Sequence, residues 1–204
     1  MERVDNYLLQ ARQAKQYFLR YDQDALIAKL KLKADDEYLY VNLLCELYRI
    51  RRDTGDMERC HRGNWVDANS HREVMTILDL VCDSRADRFV TGRWKIMQAF
   101  GMQFHSGLLE KERDPWAIRF DRDPESLHRA CLALGGKAIS GADICYSIEF
   151  FDGLPLCIQF WHGDEEFSPR LRYLWDENAD RWLKYETMYF ALNLLHGRMA
   201  EEME

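Results

Sequence analysis

The strongest patterning in the chain lies between Ile144 and Trp161. Ile144, Tyr146, Ile148 and Phe150 alternate with Cys145, Ser147 and Glu149. After Asp152-Gly153 the alternation resumes, with Leu154, Leu156, Ile158 and Phe160 against Pro155, Cys157, Gln159 and Trp161. A period of two predicts two half-buried strands joined by a hairpin turn. Opposed residues of a strand pair share a face. A two-residue turn pairs Phe151 with Leu154 and mixes the faces. A three-residue loop, Phe151-Asp152-Gly153, pairs Phe150 with Leu154, Ile148 with Leu156 and Tyr146 with Ile158, and sorts the large aliphatics onto one face. The pattern therefore predicts the three-residue loop, with Gly153 at positive φ. Pro155 has no N–H and belongs at an edge or a bulge. The second face, with two cysteines, Gln159, Trp161 and Glu149, is too apolar for open water and predicts a cover or a ligand.

The other elements follow from local patterns. Val4, Tyr7, Leu8, Ala11, Ala14 and Phe18 make the stripe of an amphipathic helix over residues 2–19. Asp22 caps a second helix burying Leu26, Ile27 and Leu30. Tyr38–Leu44 and Glu46–Arg52 read as strands, and a turn at Asp53-Thr54-Gly55-Asp56 leads to a third. Ser70 and Glu73 form a capping box ahead of a helix burying Val74, Ile77, Leu78 and Val81. Residues 93–100 read as helix, and Gly92, Gly101 and Gly107 break the surrounding stretch into short pieces. Asp123-Pro124 opens a helix that Gly135-Gly136 ends. Leu171–Trp175 is a short strand, and Asp176 is read as the cap of a last helix, 177–199. The sum is an α+β fold: an antiparallel sheet built from two hairpin regions, packed by N-terminal, middle and C-terminal helices. No linker or repeat interrupts it, so a single domain over 1–204 is expected, with the helices of 2–33 packed on it.

Composition narrows the function. The chain has 204 residues, 47% of them hydrophobic, which supplies a core. A formal net charge of −7 argues against sequence-independent binding to nucleic acid. Six scattered cysteines, none in CxxC spacing, predict reduced thiols without a zinc or iron–sulfur motif. No apolar run is long enough to span a bilayer and the start has no signal-peptide character, so a cytoplasmic protein is expected.

Chemistry concentrates in the loop His162-Gly163-Asp164-Glu165-Glu166-Phe167. An imidazole and three carboxylates within five residues suit a divalent cation or an acid–base pair. The plainer alternative is structural, with the carboxylates paired to Arg170 and Arg172. Glu186 lies between Trp182 and Phe190 at helical spacing and needs a partner or a cavity edge. Trp161, Phe167, Trp175 and Trp182 suit a flat organic ligand or a protein surface. Phe167, the only large apolar residue of the loop, is expected to plug into the core. His61, His71, His105, His128 and His196 show no ligand spacing. Cys145 and Cys157 fall on one face as diagonal neighbours; the plainer reading is buried small hydrophobes.

Leu134-Gly135-Gly136, Gly141-Ala142-Asp143, Leu154-Pro155-Leu156, Trp161 with Asp164-Glu165-Glu166-Phe167 and Pro169, Leu174-Trp175-Asp176 and Tyr185-Glu186 together resemble a known pattern. Ile77-Leu78 and Gly92-Arg93-Trp94 add weaker matches. The stretch resembles an uncharacterised family of anaerobic bacteria and archaea, the domain of unknown function numbered thirty-seven eighty-six. The resemblance covers most of the chain after residue 20. It implies no established activity. It does imply an anaerobe, and gene neighbours in corrinoid-dependent and one-carbon metabolism. Some members carry an extra cysteine-rich iron–sulfur segment, which this chain lacks.

Two readings result. In the first the protein is a non-catalytic binding module for a small molecule or a protein partner, through Trp161, His162, Asp164, Glu165, Glu166, Trp175, Trp182 and Glu186. In the second it is a metal-assisted enzyme, with His162, Asp164, Glu165 and Glu186 around a metal-bound water.

Overall fold

The computed structural model of the chain describes residues 6–101 and 114–203. Val4, His105 and Gly107, on which parts of the sequence reading fall, lie outside them. The architecture is α+β, and each of the two hairpin regions builds a five-stranded antiparallel sheet of its own. The chain divides into two compact units, Met1–Arg88 with Arg181–Leu194, and Phe89–Asp180 with Leu195–Glu204.

In the first unit, α1 (Asn6–Phe18) and α2 (Gln23–Leu30) precede a meander of β1 (Lys33–Ala34), β2 (Tyr38–Leu43), β3 (Glu46–Arg51), β4 (Met57–His61) and β5 (Asn64–Asp67), followed by α3 (His71–Asp83). Asp22 caps α2 by accepting from the Ala25 N–H. Alternation sends Leu39, Val41, Leu43, Tyr48, Ile50 and Met57 into the core. Ser70 caps α3 by accepting from the Glu73 N–H, and its hydroxyl donates to the Glu73 carboxylate at 2.6 Å. Val74, Ile77, Leu78 and Val81 are buried as the stripe requires. The stripe of α1 is weaker: Ala11 and Phe18 are buried, whereas Tyr7 and Leu8 are exposed.

The second unit contains β6 (Trp94–Ile96), α4 (Pro115–Arg122), α5 (Pro124–Ala133), β7 (Lys137–Ala138), β8 (Ile144–Phe151), β9 (Leu154–Trp161) and β10 (Arg170–Asp176). Its strand order is β6-β10-β9-β8-β7. The last helix, α6 (Tyr185–Glu201), contributes residues to both units. Asp123 caps α5 with Pro124 in its first turn, and Asp114-Pro115 repeats that signal for α4. Residues 94–99 form a strand and one 3-10 turn in place of the expected helix. The strand forms because β10 offers an open edge, and Leu174, Trp175 and Asp176 pair with Ile96, Lys95 and Trp94.

The β8–β9 hairpin corrects the expected turn. Tyr146 does pair with Ile158 and Ile148 with Leu156, but Phe151 pairs directly with Leu154 across a two-residue turn. Asp152 and Gly153 both have positive φ, 45° and 78°, the geometry an Asp-Gly hairpin turn favours. A bulge between Glu149 and Phe151 absorbs the extra residue, so the body keeps its face-sorted register while the turn shortens. Pro155 sits opposite Glu149 at that bulge.

Tyr146 and Tyr173 both pair with Ile158, so the three form one row across β8, β9 and β10. Each tyrosine hydroxyl meets a histidine from a helix: His128 of α5 at 2.8 Å and His196 of α6 at 2.6 Å. Trp116 of α4 stacks on His196, and Phe120 meets Phe160 edge to face. Helices thus cover this face through polar pins set in an apolar layer.

Candidate functional site

The acidic loop connects β9 to β10, and aspartates fix it. Asp143, just before β8, accepts from the His162 N–H at 2.9 Å. Asp121, in the last turn of α4, meets His162 Nδ1 at 3.0 Å and accepts from the Gly163 N–H at 3.2 Å. Asp164 accepts from the N–H groups of Glu166 and Phe167 at 2.8 and 2.7 Å, and its own N–H donates to the Phe167 carbonyl. An aspartate that caps its own turn in this way replaces the ladder the backbone has left. Gly163 is required: a Cβ there would lie 2.8 Å from Pro169 Cδ. The result is a closed turn beside an open depression of ≈ 550 Å³, lined by Asp121 and the residues from Gly163 to Pro169.

The sequence-predicted residues fall into three groups. Trp161, His162, Asp164, Glu165 and Glu166 lie together at this end of the sheet, and the guanidinium groups of Arg170 and Arg172 stand 6.0 and 5.5 Å from the Trp161 ring centre. Trp175 is fully buried, edge to face with Phe150, and is core. Trp182 is buried and Glu186 exposed, both within the first unit, whereas the loop belongs to the second. Exposure also overturns the apolar-face argument for Glu186.

Two expectations need correction. Phe167 is no core anchor: it is 69% exposed, because main-chain hydrogen bonds to aspartates fix the loop and leave no need for an apolar plug. Nor does Asp176 cap a helix. It is fully buried at the end of β10 and accepts from the N–H groups of Thr91, Gly92 and Asn178 and from the Thr91 hydroxyl. The helix starts later, at Tyr185, after a 3-10 turn at Ala179–Arg181.

The sequence reading missed Asp121 as a loop ligand. Its only signal was the Asp114-Pro115 helix start, which places Asp121 at a helix end. It also missed the Tyr173–His196 pair. Burial lowers His196 from 6.5 to about 4, against a weaker opposing pull from Asp114, and burial raises Tyr173 well above its ordinary value. The imidazole is therefore neutral, and its Nε2 shares a hydrogen bond with the Tyr173 hydroxyl. Among the described residues no group of three or more His, Cys, Asp or Glu side chains is placed to hold a metal ion. No described helix is long and apolar enough to cross a membrane.

No curated protein and no solved structure matches the chain. A family model does, described as a domain of unknown function (DUF3786), over residues 22–198. The match takes in both sheets and the acidic loop, and leaves only α1 and the chain ends outside. The chain belongs to that family of unknown function.

Proposed function

We propose that the protein is a non-catalytic binding module whose contact element is the acidic loop, and that its ligand is a protein. The observation that carries this reading is Phe167, exposed at the tip of a turn whose backbone is fixed by Asp121, Asp143 and Asp164. A large apolar side chain held in one geometry has little left to lose in order on binding, and such aromatics are the anchors that dominate protein interfaces. Glu165 and Glu166 precede it and suit a partner pocket rimmed by lysine or arginine. The open form of the depression favours a protein over a small molecule, since small ligands take enclosed sites. Trp161, with Arg170 and Arg172, extends the surface. The family resemblance supports an accessory place in corrinoid or one-carbon metabolism.

The test is quantitative co-purification from the native host of wild type, Phe167→Ala and the double change Glu165→Gln/Glu166→Gln. A partner retained in fixed ratio by wild type should drop at least tenfold with Phe167→Ala. Equal retention by all three would sink the reading. Metal analysis of protein purified without chelator serves the alternative: bound metal lost on Asp164→Ala would favour the metal-assisted enzyme.

A further inference from the structure

Cys145 on β8 and Cys157 on β9 lie on the face of the second sheet opposite the Tyr146–Ile158–Tyr173 row. Cys145 pairs with Gln159 and Cys157 with Ser147, which makes the two thiols diagonal neighbours. Their sulfurs are 3.7 Å apart. Both cysteines are free, and they are 5% and 1% exposed. The chain before β8 closes over them. Gly141, at φ 136°, accepts from Gln159 Nε2 at 3.2 Å, and a Cβ on it would come within 3.8 Å of Cys145 Sγ. Two cysteines acting only as small hydrophobes have no need to converge sulfur to sulfur. These do, and side-chain rotation has to close only about 1.7 Å to reach bonding distance.

We propose that Cys145 and Cys157 form a dithiol–disulfide couple, a modification site that takes a two-electron oxidant of the peroxide class. Cys145, the more open of the two, attacks a peroxide oxygen as its thiolate. The O–O bond breaks, leaving a sulfenic acid and a hydroxide that takes up a proton to become water. Cys157 sulfur then attacks the Cys145 sulfur, the S–O bond breaks, and the departing hydroxide leaves as water with the Cys157 proton. Two thiols and one hydrogen peroxide give one disulfide and two waters. Burial pushes the Cys157 thiol up to about 12, which keeps it protonated and unreactive until a sulfenic acid stands beside it. Closure would staple β8 to β9, the two strands that lead to Asp143 and Trp161 at the acidic loop.

The experiment treats the intact, folded chain with hydrogen peroxide, then denatures and alkylates it. Trypsin leaves Cys145 and Cys157 in one peptide, 138–170, with no other cysteine. That peptide should be unalkylated and lighter by two hydrogens, with total thiols falling from six to four and returning on reduction. Cys157→Ser should stop Cys145 at the sulfenic acid, raising its capture by dimedone well above wild type. Cys82→Ser should still lose two thiols. Alkylation of both cysteines after peroxide, or separate oxygen addition to each without loss of two hydrogens, would overturn the couple. So would equal dimedone capture in wild type and Cys157→Ser.

Discussion

An aspartate organises each end of β10, and the two ends behave as opposites. At the far end Asp176 is fully buried and gathers the N–H groups of Thr91, Gly92 and Asn178 around one carboxylate. At the near end Asp164 is exposed and gathers the N–H groups of Glu166 and Phe167. The hydrogen-bond chemistry is the same; the surroundings differ. Where the carboxylate is out of water, it depends on the protein's own donors, and it holds a distant segment to the sheet. Where water is present, each donor has an alternative, so the carboxylate shapes a local turn without adding much stability.

Removing Asp176 should have the largest effect. Asp176→Ala removes a fully buried carboxylate together with its hydrogen bonds from three backbone N–H groups, for a total of roughly 4 kcal/mol. Urea unfolding should show a clearly lower midpoint at constant slope. Asp176→Asn keeps an acceptor oxygen and should lose about half as much. A midpoint unchanged by Asp176→Ala would erase the distinction between the two ends.

The middle of β10 adds a pH test of the buried side. His196 is lowered from 6.5 to about 4 in the folded chain, chiefly by burial. Tyr173, Trp116 and Asp114 face it, and of these only Asp114 favours the proton. Between pH 6.5 and pH 4 the unfolded chain therefore binds a proton that the folded chain refuses, and stability falls as the pH falls. The contribution is complete above 6.5, and the gap corresponds to roughly 3 kcal/mol lost by the time the pH passes below 4. The carboxylates with lowered values, such as Asp56 and Asp83, lose stability only as the pH falls below about 4, so the upper part of the window belongs to the histidine. His196→Asn should flatten the dependence of the urea midpoint on pH between 6.5 and 4.5. A slope equal to that of wild type would assign the effect elsewhere.

These contrasts mark what the sequence could and could not show. Alternation in β8 and β9, the Ser70 helix cap and the Asp123-Pro124 start are local signals, and each forms as read. Asp176 carries the same local signal as a helix cap, but Thr91 and Gly92, 85 and 84 residues away, take its oxygens. Only the folded chain brings them there. The bulge at Phe150 was hidden because face-sorting assumes an even ladder, and a bulge satisfies both the sorting and the Asp-Gly turn. At the loop, the concentration of Trp161, His162, Asp164, Glu165 and Glu166 was legible. The agents that fix it, Asp121 and Asp143, were not, because they come from other elements. The start of α4 was readable from Asp114-Pro115, by the rule that found α5.

Asp164→Ala should cost about 1 kcal/mol, the worth of a solvent-accessible cap. Its effect should be local: faster amide exchange at Glu166 and Phe167, with exchange in the strands unchanged. If instead the whole sheet exchanged faster, the loop would be part of the cooperative core.

Phe167→Ala should change stability least of all. The side chain is 69% exposed, so truncation removes little buried apolar area and leaves no cavity. A shift within about 0.5 kcal/mol is expected, as for surface substitutions in general. This small number gives the binding test its force, because a variant that folds like wild type and still loses its partner has lost a contact and not a structure. The reverse result is equally informative. A fall of about 3 kcal/mol is the value for a buried phenylalanine. It would mean that Phe167 inserts into apolar surroundings in solution, that the near end of β10 resembles the far end, and that the loop is there to be held and not to hold something else.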